Sequence, residues 1–431
     1  MKIRDMAEAA SKASISLAAA GGEIKNGALA EIARALESSA AEIVRANKED
    51  LDRSGRENLA GPLMKRLTFD EKKIREVIDG IRSLIALPDP VGKTQLATEL
   101  DKGLELYRVS CPIGVIGIIF ESRPDALVQI SSLCLKSGNA ALLKGGSEAR
   151  ETNAILAETI RAAGTRAGLP GGWLQLLETR ADVGEMLKMD EYIDLIIPRG
   201  SNEFVRHIMD NSRIPVLGHA DGICHCYVDA RADIGLAVDV VVDSKTQYVA
   251  VCNAAETLLV HSSIAPEFLP AVKKALESKK VSLVGCEKTG EIIDVAAASE
   301  EDWKTEYLDY RLSIKVVESL DEAIDHINRY GSGHTDAIIT TDKPSAARFM
   351  DLVDSGNVFW NCSTRFSDGF RYGFGAEVGI STNKIHARGP VGLDGLLIYK
   401  YKLAGSGQIV ADYAEGRKKF THRPLSGEFK I

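Results

Sequence analysis

The spacing of apolar residues changes several times along this chain, and each change marks a different kind of element. Apolar residues recur at helical intervals between positions 74 and 85, just after Thr68 and Glu71, which are spaced as a capping box. Between positions 94 and 111 the period shortens to two, on either side of a Lys102-Gly103 turn. The pattern predicts helices up to about position 90, then a two-stranded hairpin that pairs with another part of the molecule.

From Pro112 onward, apolar runs alternate with helical segments. The stretch 114–120 is continuously apolar, and shorter runs at 141–143 and 194–197 repeat it, each followed by a predicted helix. Such runs are typical of strands buried on both faces of a parallel sheet. Further strands are predicted at 256–261, 337–341 and 357–361. We therefore expect an α/β protein whose first part is a Rossmann-type nucleotide-binding domain.

Composition narrows the classes of protein that fit this pattern. The chain has 431 residues, 45% of them hydrophobic and 26% charged, which suits two or three globular domains. Its net charge of -8 argues against nucleic acid or an anionic membrane surface as a partner. No apolar run reaches the roughly 18–20 residues of a membrane span. The N-terminal segment has too little apolar content for a signal peptide.

Cysteine usage indicates the compartment. Seven cysteines are scattered along the chain, mostly in apolar stretches, and their number is odd. This is typical of reduced thiols in a reducing compartment, so we predict a cytoplasmic protein. Cys224 and Cys226 flank a histidine and invite a metal interpretation, but no second cysteine pair lies nearby to complete four ligands. We interpret them as core residues and predict no metal site.

Cys252 is the residue whose surroundings best fit catalysis. It ends an apolar approach, is followed by Asn253, and leads into the predicted strand at 256–261. A thiol at the mouth of a strand is what covalent catalysis on an acyl group needs. The alternative is that Cys252 is a small buried hydrophobic residue, as most free cysteines are.

Two strand-to-helix turns could hold a nucleotide, although no G-x-G-x-x-G motif is present. At Gly200-Ser201, Ser201 can cap a helix whose free N–H groups would face a pyrophosphate. At 144–147, the sequence Lys-Gly-Gly-Ser places Lys144 at a strand's carboxyl end, where it can meet a phosphate or a ribose. Either turn could also be purely structural.

The order of these features resembles the aldehyde dehydrogenase superfamily, and the resemblance runs nearly end to end. The matching blocks are C-P-I-G-V-I-G-I-I-F-E-S-R-P-D (111–125), K-S-G-N-A-A-L-L-K-G-G-S-E-A (136–149), V-C-N-A-A-E-T-L-L-V-H (251–261), G-F-G-A-E-V-G-I-S-T (373–382) and H-A-R-G-P-V-G-L (386–393). The stretch 317–338 is similar to a signature of one branch, whose members reduce an acyl phosphate.

The resemblance implies a domain layout and a reaction. It implies an NADPH-binding domain at 1–96 and 114–221, a catalytic domain at 222–390, and a small β oligomerisation element at 97–113 with the C-terminal region 391–431. It also implies NADPH-dependent reduction of L-glutamyl 5-phosphate to L-glutamate 5-semialdehyde and phosphate, the second step of proline biosynthesis from glutamate. Cys252 would form a thioester, and the further candidate catalytic residues are Ser122 and Asn253. The implied partners are further copies of the chain and glutamate 5-kinase, the enzyme that makes the acyl phosphate.

Departures from the wider superfamily refine the implied site. Ser122 stands where aldehyde-oxidising members place an oxyanion-binding Asn, so the Ser122 hydroxyl or the Cys252 backbone N–H would hold the oxyanion. The stretch 218–222 lacks the Glu that activates a deacylating water. Ser147 replaces the carboxylate that bonds the ribose of NAD in relatives, which leaves Lys144 available to a 2′-phosphate and favours NADPH.

The remaining implied residues concern the ribose and the substrate. Glu306 aligns with the glutamate that holds the nicotinamide ribose, and its alternative is a solvated charge at a helix end. Substrate carboxylate and phosphate suit arginine. The candidates for substrate binding are Arg123, His219, Asn361, Arg365 and Arg371. Each arginine could instead form a surface salt bridge. Two rival functions stay open, a non-phosphorylating aldehyde dehydrogenase and a non-catalytic binding protein of the same fold.

Overall fold

The computed structural model describes residues 2–59, 61–121, 123–219 and 221–429. The chain divides into two compact units. The first unit comprises Met1–Gly200, His207–Val216 and Gly392–Ile431, and the second comprises Ser201–Arg206 and Leu217–Val391. The predicted catalytic range 222–390 falls in the second unit, and the predicted hairpin falls in the first. The functions assigned to these domains stay predictions.

The helices are numbered here in chain order. They are α1 (Ile3–Ala18), α2 (Gly22–Ser38), α3 (Ala40–Arg56), α4 (Gly61–Leu67), α5 (Glu71–Ala86), α6 (Pro124–Lys136), α7 (Arg150–Arg166), α8 (Arg180–Met186), α9 (Asn202–Asn211), α10 (Ile234–Thr246), α11 (Ala265–Ser278), α12 (Glu287–Gly290), α13 (Leu320–Tyr330), α14 (Lys343–Leu352) and α15 (Val410–Ala414). None of these described helices is both long enough and apolar enough to span a membrane.

The strands follow the same numbering. They are β1 (Thr94–Asp101), β2 (Leu104–Pro112), β3 (Val115–Phe120), β4 (Ala140–Lys144), β5 (Leu174–Leu176), β6 (Leu195–Arg199), β7 (Cys224–Val228), β8 (Ala255–His261), β9 (Ser282–Gly285), β10 (Ala296–Ala297), β11 (Arg311–Val317), β12 (Thr335–Ile339), β13 (Asn357–Trp360), β14 (Gly379–Ser381), β15 (Gly389–Val391), β16 (Leu397–Ala404) and β17 (Arg423–Pro424).

The first unit contains a four-stranded parallel sheet in the order β5-β4-β3-β6. Every residue of β3 and β4 is buried, as the continuous apolar runs predicted. These strands are therefore confirmed. The helix predicted after β4 is α7, which a 3₁₀ turn over Ser147–Ala149 separates from the strand.

The predicted hairpin is confirmed as β1 and β2, which pair antiparallel around the Lys102-Gly103 turn. Gly103 has a φ of 70°, a conformation that glycine adopts without steric cost. The hairpin also pairs with distant chain segments, since β2 binds β16 along its length and β1 binds β17. The resulting sheet has the order β16-β2-β1-β17.

One predicted helix start was wrong. Helix α5 begins at Glu71, but its N-cap is Asp70, whose side chain accepts a hydrogen bond from the N–H of Lys73 at 2.9 Å. Thr68 instead donates its hydroxyl to the carbonyl of Met64. Asp70 replaces Thr68 because a carboxylate at the N-cap also interacts favourably with the positive end of the helix dipole.

The second unit is built on a seven-stranded parallel sheet in the order β10-β9-β11-β8-β7-β12-β13. The strands predicted at 256–261, 337–341 and 357–361 correspond to β8, β12 and β13. Strand β7, in the middle of the sheet, contains Cys224 and Cys226, both fully buried. Their burial agrees with the interpretation of these thiols as core residues.

Candidate active site

Cys252 lies in the loop that leads into β8, where its side chain is half-buried. Its Sγ atom is 3.2 Å from Nε2 of His334. A cysteine thiol within hydrogen-bonding reach of an imidazole is the arrangement used in nucleophilic catalysis by cysteine, because the imidazole can take the thiol proton. The structure thus pairs the predicted nucleophile with a base.

The order of strands in the second unit explains how these two residues meet. Strand β7 lies between β8 and β12, and all three run parallel. Cys252 precedes β8 and His334 immediately precedes β12, so both lie at the amino edge of the sheet. Cys224 begins β7 between them, and its thiol donates to the carbonyl of Cys252 at 3.2 Å.

The His334 ring is held in a defined orientation. It is fully buried, and its Nδ1 atom lies 2.8 Å from Oγ1 of Thr335. When the Nδ1 proton is donated to Thr335, Nε2 presents its lone pair to the Cys252 thiol. Burial raises the pKa of the neighbouring Cys224 thiol well above its usual range. The raised pKa disfavours the thiolate form of Cys224, so Cys224 is poorly suited to act as a nucleophile.

Gly222 brings the backbone very close to the nucleophile. A Cβ atom on Gly222 would lie 2.2 Å from the carbonyl oxygen of Cys252 and 2.5 Å from its Cβ. No side chain fits in that space, so the loop 218–222 can support the loop of Cys252 only with glycine at this position.

Asn253 anchors the same loop from the other side. Its side chain is buried, and Nδ2 donates to the carbonyl of Ser367 at 2.7 Å. Its own carbonyl accepts from Oγ1 of Thr364, also at 2.7 Å. These contacts fix the backbone next to Cys252. A direct catalytic role for Asn253 stays a prediction.

His219 lies beside the thiol and imidazole. Its ring meets the ring of His334 edge to face, with 5.0 Å between centroids, and its Nδ1 lies 2.9 Å from the carbonyl of Ile380. Ligand atoms of His219, Cys252 and His334 all lie within 4.8 Å of one another. The structure therefore brings one predicted substrate-binding residue next to the nucleophile.

Two predicted arginines also belong to the second unit. Arg365 is 8% exposed, and its Nε donates to Oε1 of Gln247 at 2.9 Å. Burial lowers the pKa of Arg365, the nearby Arg371 lowers it further, and Cys252 acts in the opposite direction. Arg371 donates to the carbonyl of Arg365 at 2.5 Å. The two guanidinium groups lie close together, and Arg365 is the one that interacts electrostatically with the Cys252 thiol.

Asn361 has a more structural environment. Its Nδ2 donates to the carbonyl of Thr340 at 3.0 Å, and its Oδ1 accepts from the N–H of Thr340 at 2.9 Å. The residue has a φ of 56°, in the left-handed region that asparagine tolerates. Its side chain thereby connects the residues that follow β12 and β13. Substrate binding by Asn361 stays a prediction.

The candidate cofactor residues fall in both units, and each unit is described separately. In the first unit, Lys144 ends β4 with a buried side chain whose ammonium group donates to the carbonyl of Gly145. Ser147 is exposed and begins the 3₁₀ turn, and Gly200 follows β6. Arg123 is exposed and directly precedes α6. Ser122 lies outside the described residues.

In the second unit, Ser201 immediately precedes α9, and its carbonyl accepts from the N–H of Val205 at 3.0 Å. Nδ2 of Asn202 donates to the carboxylate of Glu306. Burial raises the pKa of Glu306, and the Asn202 bond partly offsets this. Glu306 is thus a half-buried carboxylate joined to the start of a helix, not a fully solvated charge.

A buried ion pair joins helix α10 to strand β8, close in sequence to Cys252. Nζ of Lys245 is 2.5 Å from the carboxylate of Glu256, and both side chains are completely buried. Burial raises the pKa of Glu256 to about 7 and lowers the pKa of Lys245. Glu256 is the second residue of β8, four positions after Cys252, so the pair lies at the start of the strand that follows the nucleophile.

Sequence reasoning missed His334, Gly222 and the Lys245–Glu256 pair. His334 stands in the S-G-H-T-D stretch that carried part of the resemblance, and this was the available signal for it. Gly222 lies in the stretch 218–222, where the sequence points only to the absence of a Glu. The ion pair gives no local signal in the sequence, because Lys245 cannot be distinguished there from an ordinary lysine in a helix.

Known proteins are similar to this chain over most or all of its length. The model of the aldehyde dehydrogenase family matches residues 1–298. The gamma-glutamyl phosphate reductase of Acetivibrio thermocellus is 72% identical over 431 residues, which is 100% of both chains. That of Pelotomaculum thermopropionicum is 70% identical over 431 residues, or 100% of this chain and 99% of the relative.

A solved structure is similar as well. The crystal structure of gamma-glutamyl phosphate reductase from Thermotoga maritima matches with a TM-score of 0.93 at 42% identity, covering 95% of this chain and 100% of that chain. The predicted fold class and the predicted resemblance are both confirmed. The chain therefore belongs to the aldehyde dehydrogenase family and, within it, to the gamma-glutamyl phosphate reductases.

Proposed function

We propose that this chain reduces L-glutamyl 5-phosphate to L-glutamate 5-semialdehyde and phosphate, with Cys252 as nucleophile and NADPH as hydride donor. This is the second step of proline biosynthesis from glutamate. The observation that carries the proposal is the pair formed by Cys252 and His334, with 3.2 Å between Sγ and Nε2.

The first half of the reaction needs a thiolate. His334 accepts the proton of the Cys252 thiol, and Sγ then attacks the γ-acyl carbon of the substrate. The bond from that carbon to the phosphate oxygen breaks, and phosphate leaves with its electron pair, so Cys252 carries a thioester. The positive charge of Arg365, which interacts with this thiol, and that of the neighbouring Arg371 support binding of the anionic substrate near it.

The second half reduces the thioester. A nicotinamide cofactor held by the residues named below would supply a hydride to the acyl carbon. The resulting oxyanion collapses, the carbon–sulfur bond breaks, and the Cys252 thiolate leaves with the release of semialdehyde. A thiolate serves here because it is both a good nucleophile and a good leaving group. We include the Ser122 hydroxyl and the Cys252 backbone N–H as candidate donors to the oxyanion.

The residues proposed to bind the cofactor suit a phosphate-containing nucleotide. Lys144 provides an ammonium group, and Gly200 and Ser201 lead into the N-terminus of the ten-residue helix α9, whose N–H groups favour anions. Glu306 would hold the nicotinamide ribose. Absence of a carboxylate at Ser147 supports NADPH over NADH, since such a group would repel the 2′-phosphate.

A further contact supports this preference. Arg53 donates to the carbonyls of Ser147 and Glu148, at 3.0 and 3.1 Å, which brings a guanidinium group to the turn proposed to face the 2′-phosphate. Arg53 also forms ion pairs with Asp50 and Glu151, and a 2′-phosphate at the turn would be a further anionic partner for its guanidinium group.

The loop 218–222 supports a reductase over an aldehyde hydrolase. Its single acidic residue, Asp221, accepts hydrogen bonds from Asn202, at 3.2 Å, and from the guanidinium of Arg206. A carboxylate engaged in this way does not activate water for attack on the thioester. Hydride therefore resolves the intermediate.

The substrate-binding set is also part of this proposal. His219 and Arg365 lie in the same unit as Cys252 and interact with the site directly. Arg371 acts beside Arg365, while Arg123 and Asn361 are included from the resemblance. The α-carboxylate and the acyl phosphate of the substrate are the groups that arginines would bind.

We also propose a cytoplasmic homo-oligomer. The seven cysteines are all free, which suits a reducing compartment. Strand β16 lies at the edge of its sheet and exposes Ile398, Tyr399, Tyr401 and Leu403, an apolar surface suited to a second copy of the chain. The enzyme that supplies the labile acyl phosphate, glutamate 5-kinase, is the proposed functional partner.

The reverse reaction tests the proposed function. Semialdehyde and NADP⁺ should yield NADPH only when phosphate is added, because phosphate must release the acyl group from Cys252. Oxidation without phosphate would contradict the proposal and favour a non-phosphorylating aldehyde dehydrogenase.

Variants of the pair test the assigned residues. Cys252→Ala should abolish turnover and leave NADPH binding intact. His334→Gln should lower kcat by about a hundredfold or more, as loss of a general base does. Cys286→Ser, a half-buried thiol elsewhere in the second unit, is the matched control and should keep its activity. Retained turnover in Cys252→Ala would rule out the thioester.

A further inference from the structure

We propose that His219, Cys252 and His334 form a binding site for one Zn²⁺ ion, which inhibits the enzyme by occupying its nucleophile. The ligand atoms of these three residues all lie within 4.8 Å of one another. Among the described residues, no other group of three or more histidine, cysteine, aspartate or glutamate side chains has its ligand atoms this close together. The inhibition, though not the binding, rests on the proposed role of Cys252.

The donor set matches the chemistry of zinc. Zn²⁺ prefers thiolate and imidazole ligands, at about 2.3 Å and about 2.0 Å respectively, in tetrahedral geometry. Those bond lengths place neighbouring ligand atoms roughly 3.3–3.6 Å apart. The Sγ of Cys252 and the Nε2 of His334, at 3.2 Å, already have nearly that separation. A shift of about 1 Å at His219 would complete the triad.

Both imidazoles also have the outer contacts that zinc ligands usually have. A metal-binding histidine typically donates its second ring N–H to an oxygen atom, which fixes the ring and the tautomer. Here Nδ1 of His219 faces the carbonyl of Ile380 at 2.9 Å, and Nδ1 of His334 faces Oγ1 of Thr335 at 2.8 Å. Nε2 is thus the ligand atom that each ring would supply.

The site has three protein ligands. Cys224 is close, but its thiol donates to the carbonyl of Cys252 at 3.2 Å and approaches His334 on the Nδ1 side, at 3.7 Å. The fourth position is therefore left to water, as in zinc sites with three protein ligands. The positive charge of Arg365, which interacts with Cys252, opposes a dication. We expect reversible binding, weaker than that of a structural zinc site.

Co²⁺ titration of the chelator-treated, full-length protein tests the site without any substrate. Wild-type protein should bind one equivalent of Co²⁺, with a thiolate-to-cobalt charge-transfer band and the visible bands of tetrahedral Co²⁺, and Zn²⁺ should displace it. Cys252→Ser should lose the charge-transfer band. His219→Gln and His334→Gln should each weaken Co²⁺ binding at least tenfold. His219→Cys, which restores a ligand, should bind Co²⁺ at least as tightly as wild type.

Matched controls lie in the same unit but outside the triad. His261→Gln and Cys286→Ser should bind Co²⁺ as wild type does. Absence of the thiolate band in wild type, or equal weakening in the controls, would overturn the proposal. In turnover assays Zn²⁺ should inhibit and a chelator should restore activity, whereas His219→Gln should need at least tenfold more Zn²⁺. Because the Co²⁺ titration involves no turnover, its failure is distinguishable from failure of the proposed reaction.

Discussion

Replacing Gly222 by alanine tests how closely the structure controls the nucleophile. A Cβ atom at this position would lie 2.2 Å from the carbonyl oxygen of Cys252. Since carbon and oxygen atoms approach to about 3.3 Å in ordinary contacts, the two backbone segments must separate by about 1 Å in Gly222→Ala. The displaced atoms belong to Cys252 itself, so Sγ moves relative to His334.

The expected effect is on catalysis more than on folding. A displacement of about 1 Å at a reacting group costs about a hundredfold in rate, which corresponds to about 2.7 kcal/mol of transition-state stabilisation. We therefore expect kcat/KM of Gly222→Ala to fall about a hundredfold. Gly222 has no positive φ, so backbone conformation alone does not penalise alanine there.

Steady-state assays of phosphate-dependent semialdehyde oxidation measure this effect, and urea unfolding shows that the variant is folded. Gly290→Ala is the matched control, because a Cβ on Gly290, in α12 of the same unit, meets nothing within 4 Å. Wild-type kcat/KM in Gly222→Ala would refute the reasoning. So would an equal loss in Gly290→Ala.

Three further predictions concern stability and cofactor choice. Burial lowers the pKa of His326 to about 2, from 6.5. Near pH 6, only the unfolded chain therefore takes up a proton at this histidine, and acidification lowers the free energy of unfolding. Between pH 7.5 and 5.5, the free energy of unfolding measured with urea should fall by about 1 kcal/mol from this cause in the wild type, but not in His326→Gln. Equal pH slopes for the two proteins would contradict the prediction. Lys245→Met leaves Glu256 buried without its partner and should lower the free energy of unfolding by about 3–5 kcal/mol, while the double variant Lys245→Met/Glu256→Leu should recover most of it. A double variant no more stable than the single one would argue against the buried pair. Ser147→Glu should lower the ratio of kcat/KM for NADPH over NADH at least tenfold, by repulsion of the 2′-phosphate; an unchanged ratio would place the phosphate elsewhere.

Strand β3, with its uninterrupted apolar sequence, could be predicted from the sequence, whereas β11, which has polar residues inside it, was not predicted. The run at 114–120 predicted β3 because nothing in it favours another conformation. Strand β11 contains Ser313, which is fully buried and lies 2.8 Å from the hydroxyl of Thr257. A serine satisfied by a partner on the neighbouring strand interrupts the apolar pattern, and that partner is invisible before the fold is known.

The candidate site was predictable as far as its chemistry was local. Cys252 has a recognisable sequence context, and the resemblance supplied its role. His334 follows Cys252 by 82 positions. The two residues meet because β8, β7 and β12 are adjacent parallel strands, so the residues that precede β8 and β12 lie at the same edge of the sheet. Strand order is a property of the whole sheet. Spacing along the chain therefore gave no sign of the thiol–imidazole pair, nor of the contact that requires glycine at position 222.

The pairing of β2 with β16 has a consequence for the synthesis of this protein. Strand β2 ends at Pro112 and its partner begins at Leu397, so the ribosome makes the hairpin long before the strand that covers its edge. At about 5–20 residues per second, that interval lasts roughly 15–60 s. During this time the hydrogen-bonding edge of β2 is exposed in the nascent chain. The edge of the hairpin is thus a surface through which nascent chains can aggregate before translation ends, unless a chaperone covers it.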